Sequence, residues 1–268
     1  MIAKADLARI SDARMLNFGS GPSAYAFDYE AAGVNGVNLA MTPSAFGMET
    51  ALLKEYVRYF RKGCAAVFAV CPFSFGENES NKDPKRYTKY YGVLSRGSID
   101  SLPFPLPHWS DAAAERIDPE HPLFPYGTGL DRDEVPSAEV MEERIEAMCR
   151  CWKSELCLTD FFDVSQAEYH RRAFARERQA MMETLDTARA SGLRPYILLP
   201  PLHSRLRRLF SKEFFDAFVT DRINDMDAPI LDYTDDPMIT DDMFLGPAFL
   251  NRMGTRQLTE AVWSFVRE

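Results

Sequence analysis

The side chains near the start of the chain that are best placed for chemistry are two serines in a short loop. Ser20 and Ser23 belong to residues 19–23, which directly follow the apolar run at residues 15–18. Glycines on either side of Ser20 let the chain turn sharply and let its backbone approach a ligand closely. A serine in such a loop is a nucleophile when a base removes its proton, or it hydrogen-bonds its own turn. Both interpretations stay open on the sequence alone.

Among the four histidines, His203 has the position that suits proton transfer. It follows the apolar run at residues 196–199 and two prolines, and histidine changes its charge near neutral pH. The alternative interpretation is that His203 caps the helix that follows. His170 lies in a charged helical segment, which predicts exposure to solvent. His108 and His121 lie in a proline-rich segment, where we expect them to pack beside aromatic rings.

The elements that position these residues alternate between strands and helices. We predict strands at residues 15–18, 37–39, 65–70, 196–199 and 230–233. Continuous apolar runs are typical of strands covered on both faces, and helical crossovers between them specify parallel pairing. The predicted fold is a three-layer α/β fold with a five-stranded, parallel, flavodoxin-like sheet. Its first strand is expected between the second and the third.

The predicted helices supply the crossovers between these strands. Their ranges are residues 49–62, 136–152, 165–191, 204–219 and 254–267. Residues 79–164 interrupt the alternation with many prolines and several aromatic residues, a composition that favours irregular backbone. We predict a single domain over residues 1–268, in which the helical and proline-rich stretch 79–164 is an insertion over the binding cleft.

Four strand ends are predicted to meet at one rim of the sheet. In open parallel sheets, ligands bind outside the carboxyl ends of the strands. The segments expected at this rim are residues 20–23, 73–78, 200–203 and 233–242. Their convergence predicts a site there, but it does not identify the chemistry.

The charge and composition of the chain exclude several classes of protein. The chain of 268 residues has a formal net charge of −9, whereas a nucleic-acid surface needs clustered positive charge. No apolar run reaches the roughly 18 to 20 residues of a membrane span, and the first residues lack the apolar core of a signal peptide. Five cysteines, an odd number, indicate reduced thiols. We therefore expect a cytoplasmic protein that has no membrane span and does not bind nucleic acid.

We predict no metal ion and no cofactor. Four aspartates between residues 235 and 242 would offer oxygen ligands to Ca²⁺, but their spacing matches no calcium loop, and capping of turns is the alternative. Three cysteines between residues 149 and 157 lack the spacing of a zinc site. Arg205, Arg207 and Arg208 either hold an anionic group at the rim or form a solvated helix face.

Both ends of the chain resemble one enzyme superfamily. Residues 15–28 place a glycine- and serine-containing block after the first strand, and residues 232–254 contain an acidic loop followed by Leu250-Asn251 and a closing helix. This order is similar to that of the SGNH/GDSL hydrolase superfamily. It most resembles the branch found near bacterial cell-surface polysaccharide and teichoic-acid modification. The resemblance covers residues 15–78 and 195–268, and it implies an SGNH-type fold.

The resemblance also implies that the catalytic residues are missing. In these families the nucleophile is the serine of Gly-Asp-Ser or Gly-Ser-Ser, and its partners come from Asp-x-x-His just before Leu-Asn. The matching blocks here are residues 19–21 and 246–251. They place Gly21 at the nucleophile's position, Gly246 at the acid's position and Phe249 at the base's position.

A ligand-binding cleft at the rim is the expected centre of function. The superfamily places an oxyanion-binding Asn near Glu77 and Asn78, although its usual Gly-x-Asn-Asp pattern is absent here. The residues that we expect around the cleft are Ser20, Gly21, Ser74, Asn78, His203 and Phe249. Residues 100–135 are expected to cover the cleft in part.

Two hypotheses of function follow from these residues. In the first, the protein has lost esterase catalysis and binds a small-molecule or carbohydrate ligand, or an unknown protein partner, in polysaccharide modification. In the second, it is an active acyl-ester hydrolase or acyltransferase whose residues have moved, with Ser20 or Ser23 as nucleophile and His203 as base. The sequence favours the first, because glycine has no side chain to react and phenylalanine has no lone pair to accept a proton.

Overall fold

A computed structural model describes residues 4–42, 44–76, 90–91, 93–102 and 133–267 of the chain. Asn78, His108 and His121, for which the sequence makes predictions, lie outside the described residues. All of the predicted strands lie within them, so the sheet can be compared with the prediction strand by strand.

Five strands form one sheet in which each pair of neighbours is parallel. Their bounds are Met15–Phe18 (β1), Gly36–Asn38 (β2), Ala65–Ala69 (β3), Arg194–Leu199 (β4) and Ile230–Asp232 (β5). The order across the sheet is β2-β1-β3-β4-β5, which is the flavodoxin-like order. The prediction of a parallel five-stranded sheet is confirmed, with the first strand between the second and the third. The arrangement is consistent with a three-layer α/β fold.

The three central strands lie in the hydrophobic core. All residues of β1 and β3 are buried, and so are the residues of β4 after Arg194. Leu16 pairs with Val37 on one side and with Ala66 on the other, so apolar residues are neighbours across the sheet. β5 is an edge strand whose first and last residues are exposed. Strands buried on both faces have continuous apolar sequences, which made the central strands predictable.

Helices connect the strands. Their bounds are Lys4–Asp12 (α1), Gly21–Ala24 (α2), Phe46–Tyr56 (α3), Arg96–Asp100 (α4), Ala138–Leu156 (α5), Gln166–Tyr169 (α6), Arg171–Ala190 (α7), Ser204–Arg207 (α8), Lys212–Phe215 (α9), Asp221–Ile223 (α10) and Arg252–Val266 (α11). Turns of 3₁₀ helix lie at Val57–Tyr59 and Asp241–Met243, and a π-helical segment spans Asp216–Thr220. In the described part of the chain, every helix is either too short or too polar to cross a membrane.

The helix predicted at residues 165–191 is interrupted at His170, where α6 ends and α7 begins. The prediction that His170 is solvated is wrong. Its side chain packs against the rings of Phe174 and Phe218, and the residue is only 1% exposed. Its exposure was predicted from the charge of the surrounding segment, but a residue between two helices does not have to share the exposure of its charged neighbours.

The helix predicted at residues 204–219 is divided as well. α8 ends at Arg207, and α9 begins after Ser211, whose hydroxyl accepts a hydrogen bond from the backbone N–H of Phe214 at 3.1 Å. Serine is a preferred residue at the start of a helix because of this bond. Ser211 was therefore the sequence signal for a second helix.

A small antiparallel hairpin, which the sequence did not predict, lies between β5 and α11. Its strands are Phe244–Gly246 (β6) and Phe249–Leu250 (β7). α11 begins directly after the hairpin, where the side chain of Asn251 accepts a hydrogen bond from the backbone N–H of Gly254 at 3.0 Å. The hairpin and this cap fix the positions of Gly246 and Phe249.

The described part of the predicted insertion includes α4 and α5. Arg144 of α5 donates a hydrogen bond to the backbone carbonyl of Leu245 in β6. Glu142 of α5 forms an ion pair with Arg205 of α8 at 2.8 Å. α5 therefore contacts the hairpin and α8, while the single-domain division and the cover by residues 100–135 stay predictions.

Candidate functional site

The candidate site lies at the rim where β1, β2 and β3 end. Because β1 lies between β2 and β3, the loops that follow these strands are neighbours. One backbone hydrogen bond joins the first two loops, from the N–H of Met41 to the carbonyl of Gly19 at 2.9 Å. This edge is the one at which open α/β sheets bind ligands.

The loop after β1 requires glycine at its first position. Gly19 has a φ of +132°, and a Cβ at this position would lie 2.8 Å from the Cβ of Ser23. Side chains are disfavoured by both the backbone conformation and the lack of space. The turn leaves Ser20 half-buried at the rim and Ser23 fully buried.

A buried polar network holds this loop on the sheet. The hydroxyl of Ser23 donates to the carbonyl of Phe18 at 2.7 Å and accepts from Nδ2 of Asn17 at 3.2 Å. Asn17 also donates to Oδ1 of Asn38 at 2.8 Å and accepts from the hydroxyl of Tyr29 at 2.9 Å. Ser23 thus hydrogen-bonds its own turn, and the network joins β1 and β2 to the loop.

Gly21, Gly246 and Phe249 meet at one place on the rim. A Cβ built on Gly21 would lie 3.3 Å from Cε1 of Phe249, and a Cβ built on Gly246 would lie 3.0 Å from Cδ2 of the same ring. The ring of Phe249 therefore packs against both glycines. We call this place, formed by Gly21, Gly246 and the ring between them, the glycine slot.

Two residues beside the glycine slot were not predicted. Thr42 is exposed, and its Oγ1 lies 3.3 Å from the Cβ position of Gly21. The ring of Tyr25 is buried, with its centroid 4.9 Å from that of Phe249. Thr42 could have been predicted from the sequence, because it follows a strand that ends at the rim. No feature of the sequence distinguishes Tyr25 from an ordinary core residue.

His203 reaches the same region through its backbone. Its N–H donates to the carbonyl of Pro247, in the turn of the hairpin, at 2.9 Å. Its Nδ1 accepts a hydrogen bond from the backbone N–H of Arg205 at 3.2 Å and lies 3.7 Å from Oδ1 of Asp241. His203 thus caps α8, as the alternative interpretation proposed.

Burial lowers the pKa of His203, and the nearby carboxylate of Asp241 opposes this effect by favouring the charged ring. His203 is 5% exposed, and its lowered pKa favours the neutral ring. A base needs a free ring nitrogen directed at its proton donor. Among the described residues, no hydrogen bond links His203 to Ser20 or to Ser23.

The other predicted site residues have separate positions. Ser74 accepts a hydrogen bond from the backbone N–H of Cys71 at 2.8 Å, which closes the turn after β3. Ser20 stands before α2, and in the described part of the chain its hydroxyl makes no hydrogen bond. Ser20 is therefore the predicted serine whose hydroxyl remains available at the rim.

The acidic loop and the arginines have structural partners. Asp241 accepts hydrogen bonds from the N–H and the hydroxyl of Ser204 at 2.9 and 2.7 Å, and Asp236 caps its own turn. Arg205 pairs with Glu142, and the guanidinium of Arg207 lies over the ring of Phe215. The described residues contain no group of three or more side chains that would hold a metal ion.

Chemically, the rim combines an apolar slot with hydroxyl groups at Thr42 and Ser20.

Neither a protein-family model nor a curated protein matches this chain. By its fold and its candidate site, the protein is an α/β protein with a parallel sheet and a glycine slot at the rim of that sheet. The resemblance to SGNH hydrolases stays a prediction.

Proposed function

We propose that this protein is an SGNH-hydrolase-like protein that has lost esterase catalysis and binds a ligand or a partner at the rim around the glycine slot. The observation that carries the proposal is the contact of the Phe249 ring with both Gly21 and Gly246. The resemblance assigns these positions to the base, the nucleophile and the acid. Their side chains include no imidazole, hydroxyl or carboxylate.

The chemical consequence is a loss of nearly all catalysis. A serine hydroxyl attacks an ester only when a base takes its proton and an acid orients that base. On the precedent of serine proteases, removal of the triad leaves a roughly 10³–10⁴-fold effect from binding and oxyanion stabilisation. An aromatic ring packed against both glycines adds apolar contact surface instead.

The proposed ligand is a small molecule or a carbohydrate, bound in the course of bacterial cell-surface polysaccharide modification. The resemblance at both ends of the chain supports this class, and the hydroxyls of Thr42 and Ser20 are suitable hydrogen-bonding groups. We place the protein in the cytoplasm, because all five cysteines are free, as is usual in reducing compartments.

The active-hydrolase alternative has weaker support. The hydroxyl of Ser23 is buried and donates to the carbonyl of Phe18, and Nδ1 of His203 accepts from a backbone N–H. Ser20 retains an available hydroxyl, but no base contacts it among the described residues. A nucleophile without a base is weak at its ordinary pKa.

Hydrolysis of p-nitrophenyl acetate tests the loss of catalysis. We expect equal rates for the wild type and for His203→Ala, both at the background rate of the buffer. A wild-type rate well above background that falls in Ser20→Ala would contradict the proposal and favour the alternative.

Calorimetric titration with a panel of acylated and unmodified oligosaccharides tests the ligand class. Thr42→Val is the matched variant, because it keeps the shape of the side chain and removes its hydroxyl. We expect one of the saccharides to bind the wild type and to bind the variant more weakly. No binding across the panel would exclude a carbohydrate as the ligand.

A further inference from the structure

Glu49, in the first turn of α3, is a buried carboxyl with incomplete hydrogen bonding. The residue is 3% exposed. The hydroxyl of Ser44 donates to its Oε1 at a long 3.4 Å, and its Oε2 is sealed from solvent without a hydrogen bond among the described residues. Buried polar atoms in native proteins almost always have partners, so an unpartnered carboxyl oxygen calls for an explanation.

The charged and titratable groups near Glu49 do not supply a partner. Glu177 of α7 is also buried, and its carboxylate is paired with Nε of Arg176 at 2.9 Å. Cys71, after β3, is half-buried, and burial raises the pKa of its thiol to about 12. Further along these two helices, Lys54 of α3 forms an ion pair with Glu183 of α7, with 2.8 Å between Nζ and Oε1. No cation pairs with Glu49 in the described part of the chain.

These surroundings favour a neutral carboxyl. Burial raises the pKa of Glu49 to about 8; the hydrogen bond from Ser44 opposes the rise, and the like charge of Glu177 adds to it. Burial likewise raises the pKa of Glu177, against the effect of Arg176. An ionised Glu49 would be a buried charge without a counter-ion, which is strongly unfavourable.

Glu49 is connected both to the glycine slot and to α7. Ser44 belongs to the same β2–α3 loop as Thr42, whose Oγ1 lies 3.3 Å from the Cβ position of Gly21. Thr50 directly follows Glu49 in α3, and its hydroxyl lies 2.6 Å from that of Thr184, which joins α3 to α7. A change of charge at Glu49 therefore acts where the loop beside the slot meets two packed helices.

We propose that Glu49 is a proton-operated latch, which holds the β2–α3 loop and the start of α3 against α7 while its carboxyl is neutral and releases them when it ionises. Opening exposes the carboxyl to water, where it loses its proton. The closed form therefore binds one more proton than the open form. Raising the pH favours the open form and frees the loop beside the glycine slot.

Hydrogen–deuterium exchange with mass spectrometry tests the latch in the full-length protein. The quantity compared is the protection factor of peptides from α3, corrected for the intrinsic pH dependence of exchange. Release of one proton on opening predicts a fall of up to tenfold per pH unit between about pH 5 and 8. The protection factor should level off above about pH 8, where the closed form is ionised as well.

Two variants and one reference helix make the result decisive. Glu49→Gln keeps the shape without a titrating group, so its α3 protection should lose the part of the pH slope that Glu49 contributes. Glu183→Gln removes the exposed carboxyl of α7 that pairs with Lys54 of α3, so it should lower α3 protection by the same factor at every pH and keep the wild-type slope. Peptides of α11 are the reference: they exchange through global unfolding, so their protection factors should exceed those of α3 across the pH range, because the proposed opening is local.

A wild-type α3 protection factor that is independent of pH would overturn the proposal without reference to any variant. An equal slope in wild type and Glu49→Gln would also overturn it, because another group would then release the proton. Equal protection factors in α3 and α11 across the pH range would show global unfolding instead of a latch.

Discussion

Asn17 and Glu49 are both buried polar residues beside the rim loops, but their hydrogen bonding differs. Asn17 donates to Ser23 and Asn38 and accepts from the hydroxyl of Tyr29. Glu49 accepts one long hydrogen bond from Ser44, and its second oxygen has none among the described residues. A satisfied neutral network fixes one conformation, whereas an unsatisfied ionisable group makes the stability of its surroundings depend on pH.

The comparison indicates how the two sides of the glycine slot are built. On the β1 side, the Asn17 network and the tight turn at Gly19 hold the loop in a single arrangement. On the β2 side, the loop that carries Thr42 leads into a helix whose first turn contains the protonated Glu49. We therefore expect the first loop to be rigid at all pH values and the second to respond to pH.

The largest expected effect is the pH dependence of stability that Glu49 causes. Between pH 4.5 and 8, the carboxyl is ionised in the unfolded chain and protonated in the folded one, so unfolding releases a proton. Stability then falls as the pH rises, by about 1.4 kcal/mol per pH unit for one group. Relative to Glu49→Gln, the wild type should lose on the order of 4 kcal/mol between pH 5 and 8.

Urea unfolding of both proteins across this pH range measures the difference. The comparison removes the contribution of His203, whose lowered pKa has the opposite sign: its stability contribution rises with pH up to the unfolded value of 6.5. Parallel curves for the wild type and Glu49→Gln would mean that Glu49 is ionised in the folded protein.

The next effect is the loss of the complete network in Asn17→Leu. This change leaves the hydroxyl of Tyr29 without its acceptor in a buried place and removes the hydrogen bonds from Asn17 to Ser23 and Asn38. We expect the free energy of unfolding to fall by about 3 kcal/mol at every pH. Asn35→Leu is the control, because Asn35 is exposed and its side chain donates one hydrogen bond among the described residues, to the carbonyl of Asp12.

The control should change stability by no more than about 0.5 kcal/mol. If Asn17→Leu has a similarly small effect, the network does not rigidify the loop, and the contrast with Glu49 fails. A destabilisation that varies with pH would show that the network titrates.

A smaller effect is expected from Gly19→Ala, since Gly19 has a positive φ and its Cβ would lie 2.8 Å from the Cβ of Ser23. Backbone strain and crowding should together lower the free energy of unfolding by about 2 kcal/mol. Gly97→Ala is the matched control, because a Cβ there meets open space within α4. Thermal unfolding should show the control at or above the wild-type stability; a stable Gly19→Ala protein would contradict the tight turn.

The sheet was predictable because it is specified locally. The apolar runs of β1, β3 and β4 are buried on both faces, and the lengths of the crossovers fixed their parallel order. The rim followed from that order, since strands that run in parallel end on the same edge.

The remaining features depend on contacts between distant parts of the chain. A glutamate in the first turn of a helix usually faces solvent, so no sequence pattern indicates that Glu49 is buried. β6 and β7 are too short to show a strand period. His170 and the division of the predicted 204–219 helix likewise depend on tertiary packing and on capping residues.

The most direct test of the proposed loss of catalysis is fluorophosphonate labelling, read out by peptide mass spectrometry. The wild type should remain unlabelled. The triple variant Gly21→Ser, Gly246→Asp and Phe249→His should be labelled at position 21, and none of the single variants should react, because triad members act as a unit. Labelling of wild-type Ser20 or Ser23, abolished by Ser20→Ala or Ser23→Ala, would contradict the proposal and identify an active hydrolase.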